Sequence, residues 1–198
     1  MIGTILNIIA REASEYLDKD LGASTGKKSV ILHKPRLDDD GAKLDIPDNS
    51  VSLSLFNIEE DLTQRSAIIP KKVIDGKVYR QNPPVHLNLY IVFLANFPND
   101  YESELNYTTK VIEFFQRKNT FTSTNTKGLE DLNIEKLVFK LDNIPLSSEN
   151  GAFWNLLNAK YLPCVIYRVS TLIIQDPERE DDTPLVDRVD IDTKPKRI

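Results

Sequence analysis

Apolar residues at Ile2, Ile5, Leu6, Ile9, Ala13, Tyr16 and Leu17 recur every three or four positions, with Asn7, Arg11, Ser14 and Glu15 between them. That spacing gathers one apolar stripe on a helix, so the chain is predicted to open with an amphipathic α-helix that ends by Gly22. After a small-residue loop, Ser29 to His33 reads as a short strand closed by Pro35, and Asp38 to Gly41 reads as a turn. Ser50 to Ile58 alternates strictly, which places Val51, Leu53 and Leu55 on one face of a strand and the serines on the other. Val73-Ile74, Asp75-Gly76 and Val78-Tyr79 form a hairpin signal, since Asp-Gly tolerates the positive φ angles of a primed two-residue turn. Val85 to Ala95 follows as a long central strand.

The next helix is predicted to be capped by Asn99 or Asp100, with Tyr101, Leu105, Thr108, Val111, Ile112 and Phe115 as its apolar stripe through about Gln116. The polar run Asn119 to Gly128 reads as a loop, Ile134 to Leu141 as a strand, and Ser147 or Ser148 as the cap of a short helix carrying Phe153, Trp154, Leu156 and Leu157. Pro163 stops that helix, and Cys164 to Ile174, β-branched and aromatic, reads as a buried last strand. Helix, strands, helix, strand, helix, strand gives an α+β domain with a mainly antiparallel sheet and helices packed against it. The expected division is one domain over residues 1–175 and a charged tail or arm over 176–198, where prolines and dense charge replace the apolar pattern.

With 40% apolar and 28% charged residues the chain has the composition of a folded domain rather than a disordered one. A formal charge of −5 disfavours nucleic acid or an anionic membrane as the main partner, because both demand a basic face. The longest apolar stretch, Val85 to Phe97, is too short to span a bilayer as a helix, so direct membrane insertion is not expected. The N-terminus lacks the basic opening of a signal peptide, which predicts synthesis and residence in the cytoplasm.

Candidate chemistry is sparse. Gly22 to Ser29 imitates a phosphate-binding loop, but its glycines are too close and Lys28 stands where Ser or Thr is needed. Asp38 to Gly41 fails as a calcium loop because Arg36 and Pro47 fall at ligand positions. His33 and His86, the only histidines, have no second ligand at metal spacing, and Cys164 is the only cysteine, in an apolar setting that suits an inert thiol. No catalytic residue, cofactor or metal is therefore assigned, and the chain is expected not to be an enzyme. Phe114, Phe115 and Trp154 read as core aromatics rather than stacking platforms.

Three segments point to a family. Asn82-Pro83-Pro84-Val85 through Asn96-Phe97 precedes Tyr101 to Leu105 and Val111-Ile112-Glu113-Phe114-Phe115-Gln116, and Trp154-Asn155-Leu156-Leu157 later runs into Tyr161-Leu162-Pro163-Cys164-Val165-Ile166-Tyr167-Arg168. Over about residues 2–175 this resembles the N-terminal domain of the tail-terminator and cap proteins of extracellular contractile injection systems, the antifeeding-prophage and virulence-cassette type. The most specific part is Trp154, Leu157, Tyr161, Pro163 and Tyr167-Arg168, with Cys164 where the family tends to carry serine. The resemblance implies a tail-terminator-like fold and a structural ring of six copies at the end of the inner tube and sheath of the particle. A baseplate or tube-initiation adaptor, a place in a membrane-anchored relative of type VI secretion, and a small enzyme with an unrecognised site are alternatives at this stage. No family motif matches the tail, where Leu185, Val186, Val189 and Ile191 form a short β-prone stretch suited to an assembly arm.

Overall fold

The computed structural model of the chain describes residues 1–21, 29–37, 44–64, 71–74, 77–80, 83–132, 134–142, 162–174 and 179–180. The expected helix around Trp154 and the expected assembly arm lie outside them. Helix α1 (Ile2–Leu21) is followed by β1 (Val30–Leu32), the short pair β2 (Arg36–Leu37) and β3 (Leu44–Asp45), and the long β4 (Ser50–Glu60). β5 (Lys71–Ile74) and β6 (Lys77–Arg80) pair across the predicted Asp-Gly position, with Ile74 opposite Lys77. Then come β7 (Val85–Asn96), α2 (Tyr101–Arg117), β8 (Thr120–Thr122), β9 (Lys136–Leu141), β10 (Cys164–Ile174) and β11 (Arg179–Glu180).

The main sheet has the order β1-β4-β7-β10-β9-β8, with a smaller sheet β11-β6-β5 and the pair β2-β3 beside it. Only β1 and β4 run parallel; the other main-sheet pairings are antiparallel, so the α+β reading with a mainly antiparallel sheet holds. β11 lies in the stretch expected to be tail, and it pairs with β6 through Arg179–Arg80 and Glu180–Tyr79.

Strand periodicity explains the two cores. On β7, Leu89, Ile91, Phe93 and Ala95 point to the face covered by α1 and α2, and they join one cluster with Ile5, Ile9 and Leu17 of α1 and Val111 and Phe115 of α2. Phe115 is the hub of this cluster. Its ring centroid lies 4.4 Å from that of Tyr167, 4.8 Å from those of Phe114 and Phe139, and 5.5 Å from that of Phe93, the spacing of attractive aromatic pairs. The alternate residues Val92 and Leu94 bury themselves on the opposite face with Ile46 and Ile166.

This second core also covers the serine face of β4. Ser50, Ser52 and Ser54 do not face water; they are buried beside Asn96, Leu94 and Val92 of β7. Two of them are satisfied by backbone carbonyls, Ser50 donating to Pro47 and Ser54 to His33, so a small hydroxyl fits where a larger polar group would not. Leu55, on the same face as the buried Val51 and Leu53, is exposed.

Helix α2 also departs from its predicted stripe. Asp100 is its cap, the carboxylate accepting from the Ser103 N–H, and Asn99 takes the positive φ of 70° that turns the chain into it. The buried positions are Glu104, Val111, Phe114 and Phe115, whereas Tyr101 and Leu105 are exposed. The helix is rotated because the Phe97 N–H at the end of β7 donates to Glu104 Oε1 at 3.2 Å, which draws the Glu104 side of the first turn inward. Tyr107 then stacks on Phe97 at 4.3 Å. β8 and the 3₁₀ turn Glu130–Leu132 fall in or beside the run read as a loop.

Both outer strands of the main sheet are sealed by side chains. The Ser14 hydroxyl accepts from the Val30 N–H at 2.9 Å and donates to the Val30 carbonyl at 3.0 Å, closing the outward side of β1. The Asn125 amide does the same for β8, accepting from the Thr122 N–H and donating to the Thr120 carbonyl. Unsealed edges invite pairing with other chains, and a side chain that imitates a strand removes the invitation. Ser14→Ala is expected to destabilise the chain by ~1–3 kcal/mol through two buried backbone groups left unpaired, despite the better helix propensity of alanine. Urea denaturation of the two proteins checks this; equal midpoints would mean that Val30 is satisfied in another way.

Candidate assembly surface

Of the signature residues, Pro163, Tyr167 and Arg168 are described, and Trp154, Leu157 and Tyr161 lie outside the described residues. Pro163 is buried at the head of β10, where its carbonyl accepts from the Ala95 N–H at 3.1 Å and so fixes the register in which Cys164 meets Leu94. Tyr167 points to the helix face, against Phe115 and edge-on to Phe93. Burial pushes its hydroxyl up to about 12. Burial also pushes the Cys164 thiol up to about 11, the reverse of what a nucleophilic cysteine needs.

Arg168 points to the opposite face, beside Tyr90 of β7 and Lys140 of β9 in the strand register. The Tyr90 phenol is held above its ordinary range first by burial and then by its hydrogen bond to Glu59, while a hydrogen bond from Arg168 pulls the other way. The order Glu59, Tyr90, Arg168 is a polar row crossing β4, β7 and β10. Tyr167 and Arg168, adjacent in sequence, therefore do different work: one fills the helix-side core and the other ends a charge row on the outer face. Arg168 Nε, His86 Nδ1 and Ser52 Oγ are buried without a hydrogen-bond partner among the described residues.

The described residues contain no group of three His, Cys, Asp or Glu able to hold a metal. A cavity of about 320 Å³ lies between α1, the end of β1 and β4, lined by Leu6, Leu32, His33, Lys34, Pro35, Ser54 and Leu55. His33 is the sequence candidate nearest to it, and its Nε2 is engaged with the Asp45 carbonyl at 2.6 Å. Among the described residues the lining holds no carboxylate to act with that histidine, and it is mostly apolar.

The cavity adjoins the feature that sequence reasoning missed. The stretch of β4 beyond Leu53 has no strand beside it on the side away from β7 among the described residues, because β1 pairs only with Val51 to Leu53. Leu55, Phe56 and Ile58 are 37, 42 and 44% exposed there, and Val85, Ile173 and Ile174 are exposed at the same end of the sheet. Among the described residues, the helices cover the half of the sheet around Phe93 and not this end. Strict alternation through Ile58 signalled a strand but not where its cover stops, which depends on the length of β1.

A family model for the Pvc16 N-terminal domain matches residues 4–188. The chain belongs to the Pvc16 N-terminal domain family. The Pvc16-type fold is also found in solved structures. Residue for residue the chain is 16% identical, with a TM-score of 0.58, to the sheath/tube terminator of the PVC extracellular contractile injection system in its extended state. It is 14% identical, with a TM-score of 0.53, to the tube-terminating cap of the anti-feeding prophage. All of this chain and 94% of it, respectively, are covered, but only 64% and 59% of the two relatives, so it spans less than two thirds of either. No curated protein sequence matches. At such identity the likeness is one of fold, and it agrees with the tail-terminator-like α+β architecture read from the sequence.

Two of the three raised acids, Cys164 and Tyr167, give a pH prediction. Thiol and phenol are held neutral in the fold, so above their ordinary values the unfolded chain loses protons that the folded chain keeps, and stability falls as pH rises. The fall begins near pH 9 for Cys164 and near pH 10 for Tyr167, and ends near their folded values of about 11 and about 12. Denaturation midpoints measured from pH 8 upward should decline through this window, and Cys164→Ser should flatten the first part. An identical slope in that variant would mean that the thiol is not buried.

Proposed function

We propose that the chain is a structural subunit that caps the end of the tube and sheath of a contractile injection particle, as a ring of copies of itself and not as an enzyme. The family match over residues 4–188 carries this reading, because the solved proteins that share the fold are described as a sheath/tube terminator and a tube-terminating cap. A growing tube or sheath built by heterologous contacts continues until a subunit with a different free face joins its end, and a closed ring supplies that face. Six copies would match a six-fold tube. The partners in this reading are the inner tube protein, the sheath protein and neighbouring copies, with no nucleic acid and no insertion into a membrane.

The site chemistry supports the structural reading. The cysteine is held neutral, the cavity lining among the described residues pairs His33 with no carboxylate, and the polar row Glu59-Tyr90-Arg168 is tied to itself. No described helix is long and apolar enough to cross a membrane, which suits a subunit made in the cytoplasm and then built into a particle. The tail remains part of the proposal as an arm that orders on assembly. Its division from the domain falls after Glu180 in our reading, since β11 belongs to the smaller sheet.

Mass photometry of the purified chain, alone and with tube protein, tests the ring. The expected result is a species six times the chain mass that becomes dominant when tube ends are added. Monomer alone under both conditions would overturn the reading.

A further inference from the structure

The cavity at the end of β1 takes no part in the cap reading, and it arises where the two strands beside it part company. The last backbone bond from this segment to β4 runs from the His33 N–H to the Leu53 carbonyl at 3.0 Å. Pro35 has no N–H to give and cannot carry the pairing on. β4 continues to Leu55 and beyond, while α1 closes the inner side with Leu6, which is only 4% exposed. A space of about 320 Å³ is left between them. Liquid water would fill it with about ten molecules.

Leu6, Leu32, Pro35 and Leu55 supply the apolar lining, and two of the polar groups among them are already committed. The Ser54 hydroxyl donates to the His33 carbonyl. His33 Nε2 donates to the Asp45 carbonyl at 2.6 Å, since a carbonyl can only accept. Lys34 differs from both: it is exposed, and its ammonium has no hydrogen-bond or ion-pair partner among the described residues.

We propose that this cavity is a docking socket for a partner protein, and that it takes one large aliphatic or aromatic side chain standing next to a carboxylate. The inference does not depend on the cap reading. Leu55 is 37% exposed and Leu32 half-buried, so an apolar occupant would take wet apolar surface out of water on both sides of the contact. Lys34 supplies the charge that decides what stands beside that occupant, because an unpaired cation at the rim of an apolar hole favours a neighbouring anion. The shape favours a side chain over a free small molecule. Small-molecule sites enclose most of their ligand and fix it with several converging polar groups, whereas this cavity has solvent at Lys34 and Leu55 and a single uncommitted cation. An occupant that remains attached to a chain outside needs neither enclosure nor further anchors.

The test follows backbone amide shifts of the full-length, ¹⁵N-labelled chain during titration with acetyl-Phe-Asp-amide, with its uncharged counterpart acetyl-Phe-Asn-amide, and with laurate. Both peptides should give saturable shifts at Leu32, His33, Lys34 and Leu55, with the aspartyl peptide bound roughly two- to fivefold more tightly, the range of an exposed ion pair. Lys34→Gln should bring the two peptides to equal affinity, and Leu55→Asp should remove the binding of both. The two positions are exposed, and unchanged thermal melting would show that the variants keep the fold. Equal affinity of the two peptides for the wild-type chain, a comparison that needs no variant, overturns the role of Lys34. Absence of saturable shifts around the cavity overturns the socket itself. Laurate binding more tightly than the aspartyl peptide and displacing it overturns the protein partner in favour of a fatty-acid site.

Discussion

The constraint on which the structure depends is the double burial of β7. A strand buried on both faces needs apolar residues at odd and even positions alike, and its backbone needs a partner on each side, since nothing else in the interior can take its hydrogen bonds. Ile91, Val92, Phe93, Leu94 and Ala95 meet the first condition, all nearly inaccessible to solvent. β4 and β10 meet the second, the two strands flanking β7 along most of its length. The helices then pack on one face through the Phe115 hub, and the smaller cluster with Ile46 and Ile166 closes the other.

From this follows the asymmetry of the molecule. Apolar positions continue along β4, β7 and β10 past the reach of α1 and α2, at Ile58, Val85 and Ile174, so among the described residues one end of the sheet is a finished core and the other is core-like surface. In a protein that acts alone such a patch is a liability. In a subunit that assembles, as proposed above, the same patch is a joining surface.

Much of the architecture was legible in the sequence because it is written in period. The 3.6-residue stripe of α1, the run of β7, the Asp-Gly hairpin and the limits of β10 at Cys164 and Ile174 all follow from side-chain direction. What escaped was tertiary. Alternation in β4 separated serines from apolar residues, but it records polarity and not cover, and the burial of the serines depends on the Ile46 segment folding across. The stripe of α2 was misplaced by the inward turn of Glu104, a contact with the end of a strand seven residues earlier. β8 hid in a polar run because Asn125, not an apolar pattern, holds its edge. The candidate surface was legible only in part: Tyr167 and Arg168 were found, but their division between two faces required the register with β7.

Residue-resolved native-state hydrogen exchange of the isolated chain tests the central claim most directly. Doubly buried strands open only with the whole domain, whereas exposed edges open locally. The account predicts that the amides of Ile91 to Ala95 exchange slowest, at the rate of global unfolding, and that the Ile58 amide exchanges orders of magnitude faster although it lies in the adjacent strand. Equal protection of Ile58 and Phe93, or fast exchange through the middle of β7, would contradict it.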